Sequence, residues 1–240
     1  LEAVWIEPSQ RDQARTLGYT VVDAATAIAT HMNKVLRDNA HELLSHDETQ
    51  KLLDKLAARH PKLVEELVPG KLPLGVITRV LQSLLTESVP IRDMRSIAEA
   101  LLEASARTQD PDTLTTLVRP KLGRLIVQNL LENAETLQVM TLAPQMEQLL
   151  HTLLQQSGPG GQPVLEPGMA ESLFGALRDS ARKVEDSGVA AVLVVSPAIR
   201  PWLSQATRHR IPDLTVLSYS EIPEDQAVKV IHTVTADPAA

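Results

Sequence analysis

AVLVVSPAIRPWLSQATRHRIPDLTVLS, residues 191–218, is the stretch that decides the fold. Residues 191–196 form an aliphatic run with the length of a buried strand, and a helical pattern separates them from a second strand at 214–218. A further strand is predicted at 228–234, where β-branched residues predominate. Strands that alternate with helices are typical of an α/β unit whose sheet is partly parallel.

The α/β pattern extends upstream to residue 136. The alternating segment 136–142 predicts a strand, 144–156 predicts a helix, and 167–186 predicts a long helix. Between these two helices lies SGPGGQPVLEPG, residues 157–168, which is rich in Gly and Pro. A phosphate-binding loop would join a strand to a helix, whereas this segment joins two helices. It is therefore predicted to be a surface linker.

Residues 45–132 are predicted to be almost entirely helical. Apolar residues recur at intervals of three and four in the segments 47–59, 61–68, 72–87, 89–106 and 110–132. Asp110 is the expected N-cap of the last segment, and Pro111 is its expected first helical residue. Pro120 should kink or divide this segment, because proline lacks the amide that an α-helix requires.

The first 44 residues combine two patterns. Short apolar runs at 3–6 and 19–23 flank a polar helical stretch at 9–17, and the Val-rich second run predicts a strand. Residues 24–44 return to helical spacing. The predicted fold class is therefore α+β with several subdomains and a high helix content. A short α/β piece precedes an all-helical middle and an α/β C-terminal subdomain, with boundaries near residues 44 and 132.

The composition excludes several classes of protein. The 240 residues are 43% hydrophobic and 22% charged, which is ordinary for a globular protein with a large core. A net charge of −7 and only 2% aromatic residues argue against nucleic-acid binding. The absence of cysteine removes disulfides and thiolate metal sites. No run approaches the roughly 18–20 apolar residues of a membrane span. The abrupt start, without a signal peptide, predicts a fragment of a longer protein.

HELLSHDETQ, residues 41–50, begins like the zinc-protease motif H-E-x-x-H. The motif needs histidines four residues apart, whereas His41 and His46 are five apart, or roughly 140° around a helix. Ser45 and Glu48 instead fit the S-x-x-E capping box. We therefore predict that one helix ends and another begins here, with no metal site.

No catalytic motif is present, and the best generic ligand site is the loop at 192–202, because ligands of open α/β sheets bind beyond the carboxyl ends of the strands. Ser196 could present a hydroxyl there, and Arg200 could hold an anion. The favoured interpretation is structural: Ser196 caps a helix whose first turn contains Pro197. A small-molecule enzyme with a pocket in this loop is thus a minor alternative, and no catalytic residue or cofactor is predicted.

Three segments together resemble the cytoplasmic domain of a known family. They are LGYTVVDAATAIATHMN (17–33), VPGKLPLGVITRVLQSLLTESVPIRDMRSIAEAL (68–101) and AVLVVSPAIRPWLSQATRHRIPDLTVLSYSEI (191–222). They resemble the C-terminal cytoplasmic domain of the FHIPEP family, the export gate proteins of the bacterial flagellar type III secretion apparatus. The resemblance runs from Trp5 to about residue 235, and GYTVVDA followed by VPIRDMR is its most specific part. Virulence-type export gates share the layout but have less similar versions of these segments, and they remain the alternative.

The resemblance implies a function that the residues alone do not. Family proteins have an N-terminal membrane domain, a linker and a cytoplasmic part of four subdomains, and nine copies form a ring beneath the export channel. The ring binds export chaperones with their cargo and the associated ATPase complex, and the proton motive force supplies the energy. The chain would then be a soluble, non-enzymatic piece on the cytoplasmic side of the inner membrane, attached to the membrane only through the absent N-terminal domain.

The resemblance also assigns subdomains and a docking site. Residues 1–23 match the tail of the second subdomain, 24–43 a helix of the first, 44–123 the helical third and 124–240 the α/β fourth. The family's chaperone-docking dimple has a threonine that corresponds to Thr30, and Ala27 lies one turn earlier, where the family often has valine. The other residues of the dimple, one acidic and one aromatic, would precede Leu1.

Overall fold

A parallel four-stranded sheet organises the C-terminal part of the chain. The computed structural model describes residues 4–131, 134–158, 163 and 165–236. The strands are Leu137–Leu142 (β1), Val192–Val195 (β2), Thr215–Ser218 (β3) and Val228–Val234 (β4). Their order in the sheet is β3-β2-β1-β4, and each neighbouring pair is parallel. The predicted strands at 136–142, 191–196, 214–218 and 228–234 are thus confirmed.

Helices account for most of the remaining described residues. They are Arg11–Thr16 (α1), Ala24–Asp38 (α2), Ala40–Leu43 (α3), His46–Ala57 (α4), Pro61–Leu67 (α5), Leu74–Thr86 (α6), Met94–Ser105 (α7), Pro111–Val118 (α8), Gly123–Leu131 (α9), Pro144–Gln156 (α10), Pro167–Glu185 (α11) and Arg200–Thr207 (α12). Short 3₁₀ turns occupy Pro8–Gln10, Arg119–Leu122 and Tyr219–Glu221. The helix-rich α+β class predicted from the sequence is confirmed.

Local sequence signals place most helix ends. The carboxylate of Asp110 accepts a hydrogen bond from the Thr113 amide at 2.8 Å, and Pro111 is the first residue of α8. The helical segment divides around Pro120, as predicted, because a 3₁₀ turn separates α8 from α9. Ser45 caps α4, but its Oγ accepts from the Asp47 amide at 3.2 Å, and its hydroxyl donates to the Glu48 carboxylate. The predicted reciprocal box is therefore replaced by a side-chain pair.

The predicted strand at 19–23 is wrong. These residues lie outside helix and strand, and no described residue pairs with them as a neighbouring strand. A Val-rich run becomes a strand only where a partner satisfies its backbone, and local propensity cannot supply one. Asp23 instead begins α2, since its carboxylate accepts from the Thr26 amide at 2.7 Å. Ala3, in the predicted apolar run at 3–6, lies outside the described residues.

The sheet is covered by helices on both faces. Val192 and Val194 of β2 face a core built by α4–α9, whereas Leu193 and Val195 face a second core built with α10–α12. Because both faces are buried, β2 is apolar throughout instead of alternating. We call residues 44–131 the helical half and residues 134–236 the α/β half, and together they form the base.

The first described residues, 4–43, form an N-terminal arm outside this base. Its helix α3 packs against α6, and the Gln82 amide donates to the Leu44 carbonyl oxygen at 2.8 Å just beyond the arm.

The subdomain division at 23, 43 and 123 stays a prediction. The composition boundary near residue 132 and part of the predicted loop at 157–168 fall on residues 132–133, 159–162 and 164, outside the described residues. Every described helix is too short or too polar to span a lipid bilayer.

Candidate functional site

The arm helix α2 presents an exposed apolar face. Its whole length is described, and none of its residues is buried. Ile28, Met32, Val35 and Leu36 recur at the spacing of one helix face, and their side chains are between 45% and 57% exposed. Apolar side chains elsewhere in the arm are also exposed, namely Val4, Trp5, Ile6, Leu17, Tyr19, Val22 and Leu43. A monomeric globular protein rarely exposes so many large apolar side chains together.

The two predicted docking residues lie away from this apolar face. Thr30 is exposed, and Ala27 is half-buried. At about 100° per residue, Thr30 lies roughly opposite the centre of the Ile28–Met32–Leu36 stripe. Its hydroxyl donates to the Thr26 carbonyl oxygen at 2.8 Å, one turn earlier. Helix α2 therefore has two distinct accessible faces, one broad and apolar and one polar, where Thr30 and Ala27 lie beside Lys34 and Arg37.

Arg200 pairs with carboxylates of the fold, whereas the minor alternative for this loop had it hold a ligand anion. Arg200 is 2% exposed and makes ion pairs with Glu87 of the helical half and with Glu221. A guanidinium that is already buried between two carboxylates is not available to hold a ligand anion. The sequence missed this role because both partners are remote along the chain.

Ser196 does not cap a helix as predicted. Helix α12 begins only at Arg200, and the amides of Ile199 and Arg200 both donate to the Ser196 carbonyl oxygen at 3.1 Å. The Ser196 amide donates to Glu147 Oε1 at 2.8 Å, while its Oγ is buried and has no hydrogen-bond partner among the described residues. Tyr219, which follows β3, donates to Glu147 Oε2 at 3.2 Å. Partial burial, together with the Glu147 carboxylate, raises the pKa of Tyr219.

Two open clefts of the described residues lie elsewhere on the base. One has a volume of about 370 Å³, and the other of about 60 Å³. The larger lies beside Phe174, over whose ring the Arg210 guanidinium stacks at 4.6 Å from the centroid. Neither of these two described clefts is lined by residues 192–202, where a pocket was the minor prediction. Within the described residues, no three His, Asp or Glu side chains come together as a metal site, and His41 and His46 belong to none.

A buried cluster of four charged residues joins the two halves of the base. Arg119 donates to Glu221 Oε2 through Nε at 3.0 Å and Nη2 at 2.6 Å, and to Glu87 Oε2 through Nη1 at 2.7 Å. Burial alone would raise the pKa of Glu87, but the charges of Arg119 and Arg200 hold it below its ordinary value. Burial alone would lower the pKa of Arg119, and the Glu87 and Glu221 carboxylates hold it above its ordinary value.

Sequence reasoning overlooked this cluster, although one signal was present. Arg119 lies between the buried residues Val118 and Leu122, on the apolar side of a helical segment. A charged side chain at such a position is almost never fully buried unless it is paired. The partner of Arg119 could not be identified from the sequence, because Glu221 is 102 residues away.

The fold matches solved structures of type III secretion proteins over nearly the whole chain. The cryo-EM structure of nonameric EPEC SctV-C aligns with a TM-score of 0.81 and 27% identity, covering 95% of this chain and 68% of that one. The Chlamydia pneumoniae CdsV and CdsO protein complex aligns with a TM-score of 0.80 over 96% of this chain and 68% of that one; at 20% identity it supports the fold alone. The fold is that of the cytoplasmic domains of export gate proteins.

Sequence comparison narrows this class to one family. The FHIPEP family model matches residues 1–227. The flagellar biosynthesis protein FlhA of Escherichia coli K12 is 42% identical over 234 residues, which cover 98% of this chain and 33% of that protein. The chain belongs to the FHIPEP family. It spans about a third of the length of the curated relatives that it matches.

Proposed function

We propose that the chain is a docking platform of a flagellar protein export gate, on which α2 receives export chaperones together with their cargo. The observation that supports this proposal is that no residue of α2 is buried, with Thr30 exposed and Ala27 half-buried on the face away from its apolar stripe. Membership of the FHIPEP family supports an export role, and the relatives that share 33–45% identity with the chain are flagellar biosynthesis proteins. The flagellar branch is therefore preferred to the virulence-type alternative.

Thr30 suits a contact that depends on shape. Its hydroxyl already donates to the Thr26 carbonyl oxygen, and Thr30 is exposed, so replacing it removes no buried contact of the fold. A large or charged side chain at this position would project into any partner that packs closely against the helix. Ala27, one turn earlier, contributes less contact area than a valine would, which makes the docking surface shallower.

Further partners follow from the relatives. EPEC SctV-C is nonameric, and CdsV forms a complex with CdsO. By analogy with the nonameric relative, we infer that copies of this chain associate into a ring in the full-length protein. The resemblance to export gate proteins implies in addition that the ring contacts proteins of the export ATPase complex. The protein would lie on the cytoplasmic side of the inner membrane and reach the membrane through another domain. It would bind no nucleic acid and catalyse no reaction.

The decisive experiment is calorimetric titration of flagellar chaperone–cargo complexes into the intact cytoplasmic domain, which contains this chain together with the residues that precede it in the full-length protein. Thr30→Asp and Thr30→Trp should weaken binding at least about tenfold, because central contacts of an interface commonly contribute more than 1 kcal/mol. Thr152→Asp is the matched control, since Thr152 is another exposed helical threonine whose hydroxyl donates to the carbonyl oxygen four residues earlier. Unchanged affinity in both Thr30 variants would refute docking at this face.

The broad apolar face of α2 needs a separate test, because it lies opposite Thr30. A Met32→Lys variant in the same titration distinguishes two roles. If the face is covered by another part of the full-length protein, the variant should unfold or aggregate without a specific loss of affinity. If chaperones occupy it, the variant should stay folded and lose binding, and the docking site would then be moved from Thr30 to Met32.

A further inference from the structure

The buried charges between the two halves of the base form an alternating square. The helical half contributes Glu87 and Arg119, and the α/β half contributes Arg200 and Glu221. Each half therefore supplies one cation and one anion, and the cluster has no net charge. Arg119, Arg200 and Glu221 are no more than 2% exposed, and the side chain of Glu87 is 14% exposed.

The strongest bonds of the α/β residues cross the interface. Arg200 donates to Glu87 Oε2 through Nη1 at 2.5 Å, whereas its Nε lies 3.5 Å from Glu221 Oε1 in its own half and has no hydrogen-bond partner among the described residues. Oε2 of Glu221 accepts hydrogen bonds from both Nε and Nη2 of Arg119, which belongs to the other half. Its second oxygen accepts from the Ser218 hydroxyl at 3.0 Å, which fixes the carboxylate in place.

A buried ionic cluster is poor support for stability alone, because removing charges from water costs much of what the ion pairs return. Its directional bonds can nevertheless fix how two elements are oriented. The apolar core beside the cluster supplies non-directional attraction, since residues of both halves belong to it. The backbones also meet here, because a Cβ added to Gly123 would lie 2.2 Å from the Glu221 carbonyl oxygen.

We propose that the Glu87–Arg119–Arg200–Glu221 cluster is a lock that makes the helical half and the α/β half move as one body. Opening the interface breaks both cross-half pairs, Arg119–Glu221 and Arg200–Glu87, at once. Movement of the described chain is then concentrated between α2 and α3, around Asn39, because α3 itself packs against α6 of the base. A partner that binds the α/β half therefore also displaces the helical half.

Two double variants with matched composition test the lock. Glu87→Gln with Arg119→Met removes both members from the helical half and leaves no cross-half ion pair. Arg119→Met with Glu221→Gln removes one member from each half and leaves the cross-half pair Arg200–Glu87. Both variants share Arg119→Met, lose one cation and one anion, and retain an acceptor at the replaced glutamate. Only the number of remaining cross-half ion pairs differs between them.

The readout is native-state hydrogen exchange of the slowest amides in α6–α8 and in β1–β3. In the wild-type protein, both sets should exchange through the same opening. In the Glu87→Gln/Arg119→Met variant, one set should exchange about tenfold faster than the other, since subglobal units open separately once they are uncoupled. In the Arg119→Met/Glu221→Gln variant, the two sets should stay matched. Equal behaviour of the two variants, whether both coupled or both uncoupled, overturns the lock.

A second matched pair keeps the test decisive if Arg119→Met prevents folding, which circular dichroism would reveal. Arg200→Met with Glu221→Gln removes both charged members of the cluster from the α/β half and leaves no cross-half ion pair. Arg200→Met with Glu87→Gln leaves the ion pair Arg119–Glu221 across the interface. The first of these variants should uncouple the exchange of the two halves, and the second should not. The opposite order, or no difference, overturns the lock equally.

Discussion

The arm and the base are built from the same kinds of amphipathic helix but are stabilised differently. Helix α2 has a capping Asp23 and an apolar stripe, yet none of its described residues is buried. Helix α6 has a comparable stripe, and its Ile77, Val80, Leu81 and Leu84 are completely buried. An amphipathic pattern therefore determines that a helix can form, whereas the packing partner determines what that helix contributes to stability.

The largest expected difference between the two regions comes from truncating leucines. Leu84→Ala in α6 should lower the free energy of unfolding by about 2–5 kcal/mol, because it removes a buried side chain and leaves a cavity. Leu36→Ala in α2, where the side chain is 50% exposed, should change it by less than about 0.5 kcal/mol. Urea unfolding followed by circular dichroism measures both values. A loss of several kcal/mol in Leu36→Ala would show that the arm belongs to the cooperative core.

This contrast also explains what the sequence could predict. Periodicity and caps are local, so they identified the helices, the strands and the division at Pro120. The strand predicted at 19–23 failed because a strand depends on a partner that local pattern does not reveal. The prediction that the Ser196 side chain caps a helix was wrong for a related reason. The turn that precedes α12 is closed by the Ser196 carbonyl oxygen instead of its side chain.

The functional residues were predictable to a smaller degree. Thr30 and Ala27 came from family resemblance, and the structure adds that Thr30 lies opposite the apolar stripe of α2. Arg119 and Arg200 were not recognised as a pair of buried cations, because their carboxylates lie 21 to 113 residues away along the chain. Long-range electrostatic pairing has no periodic signature in a sequence.

A second prediction compares two glycines within the base. Gly123→Ala should destabilise the protein by about 1–3 kcal/mol, because its Cβ would overlap the Glu221 carbonyl oxygen and force the two halves apart. Gly175→Ala is the control in α11, where a new Cβ meets no described atom within 4 Å beyond the backbone of its own helix. It should be neutral or stabilising by up to about 1 kcal/mol, since alanine is the better helix former. Chemical unfolding of both variants checks this, and equal effects would contradict a tight contact at Gly123.

The smallest expected effects come from two aspartates that make the same cap in different regions. Asp110 caps α8 in the base, and Asp23 caps α2 in the arm; each accepts from the amide three residues on. Asp110→Ala should lower the global stability by about 1 kcal/mol. Asp23→Ala should leave the main unfolding transition unmoved and only accelerate amide exchange in the first turn of α2. A shift of the main transition in Asp23→Ala would place the arm inside the cooperative unit.

The same pair gives a pH test, because hydrogen bonds hold both carboxyl groups below their ordinary pKa. The Thr113 hydroxyl and amide lower the pKa of Asp110, and the Thr26 amide lowers that of Asp23. A carboxyl whose pKa is lower when folded stabilises above its unfolded value, 3.8, and loses this contribution as the pH falls through the folded value. Acidification should therefore destabilise the wild-type base more steeply than the Asp110→Ala base, whereas Asp23→Ala should leave that slope unchanged. Parallel acid titrations of the three proteins would show whether a cap contributes to global stability only where its helix is packed.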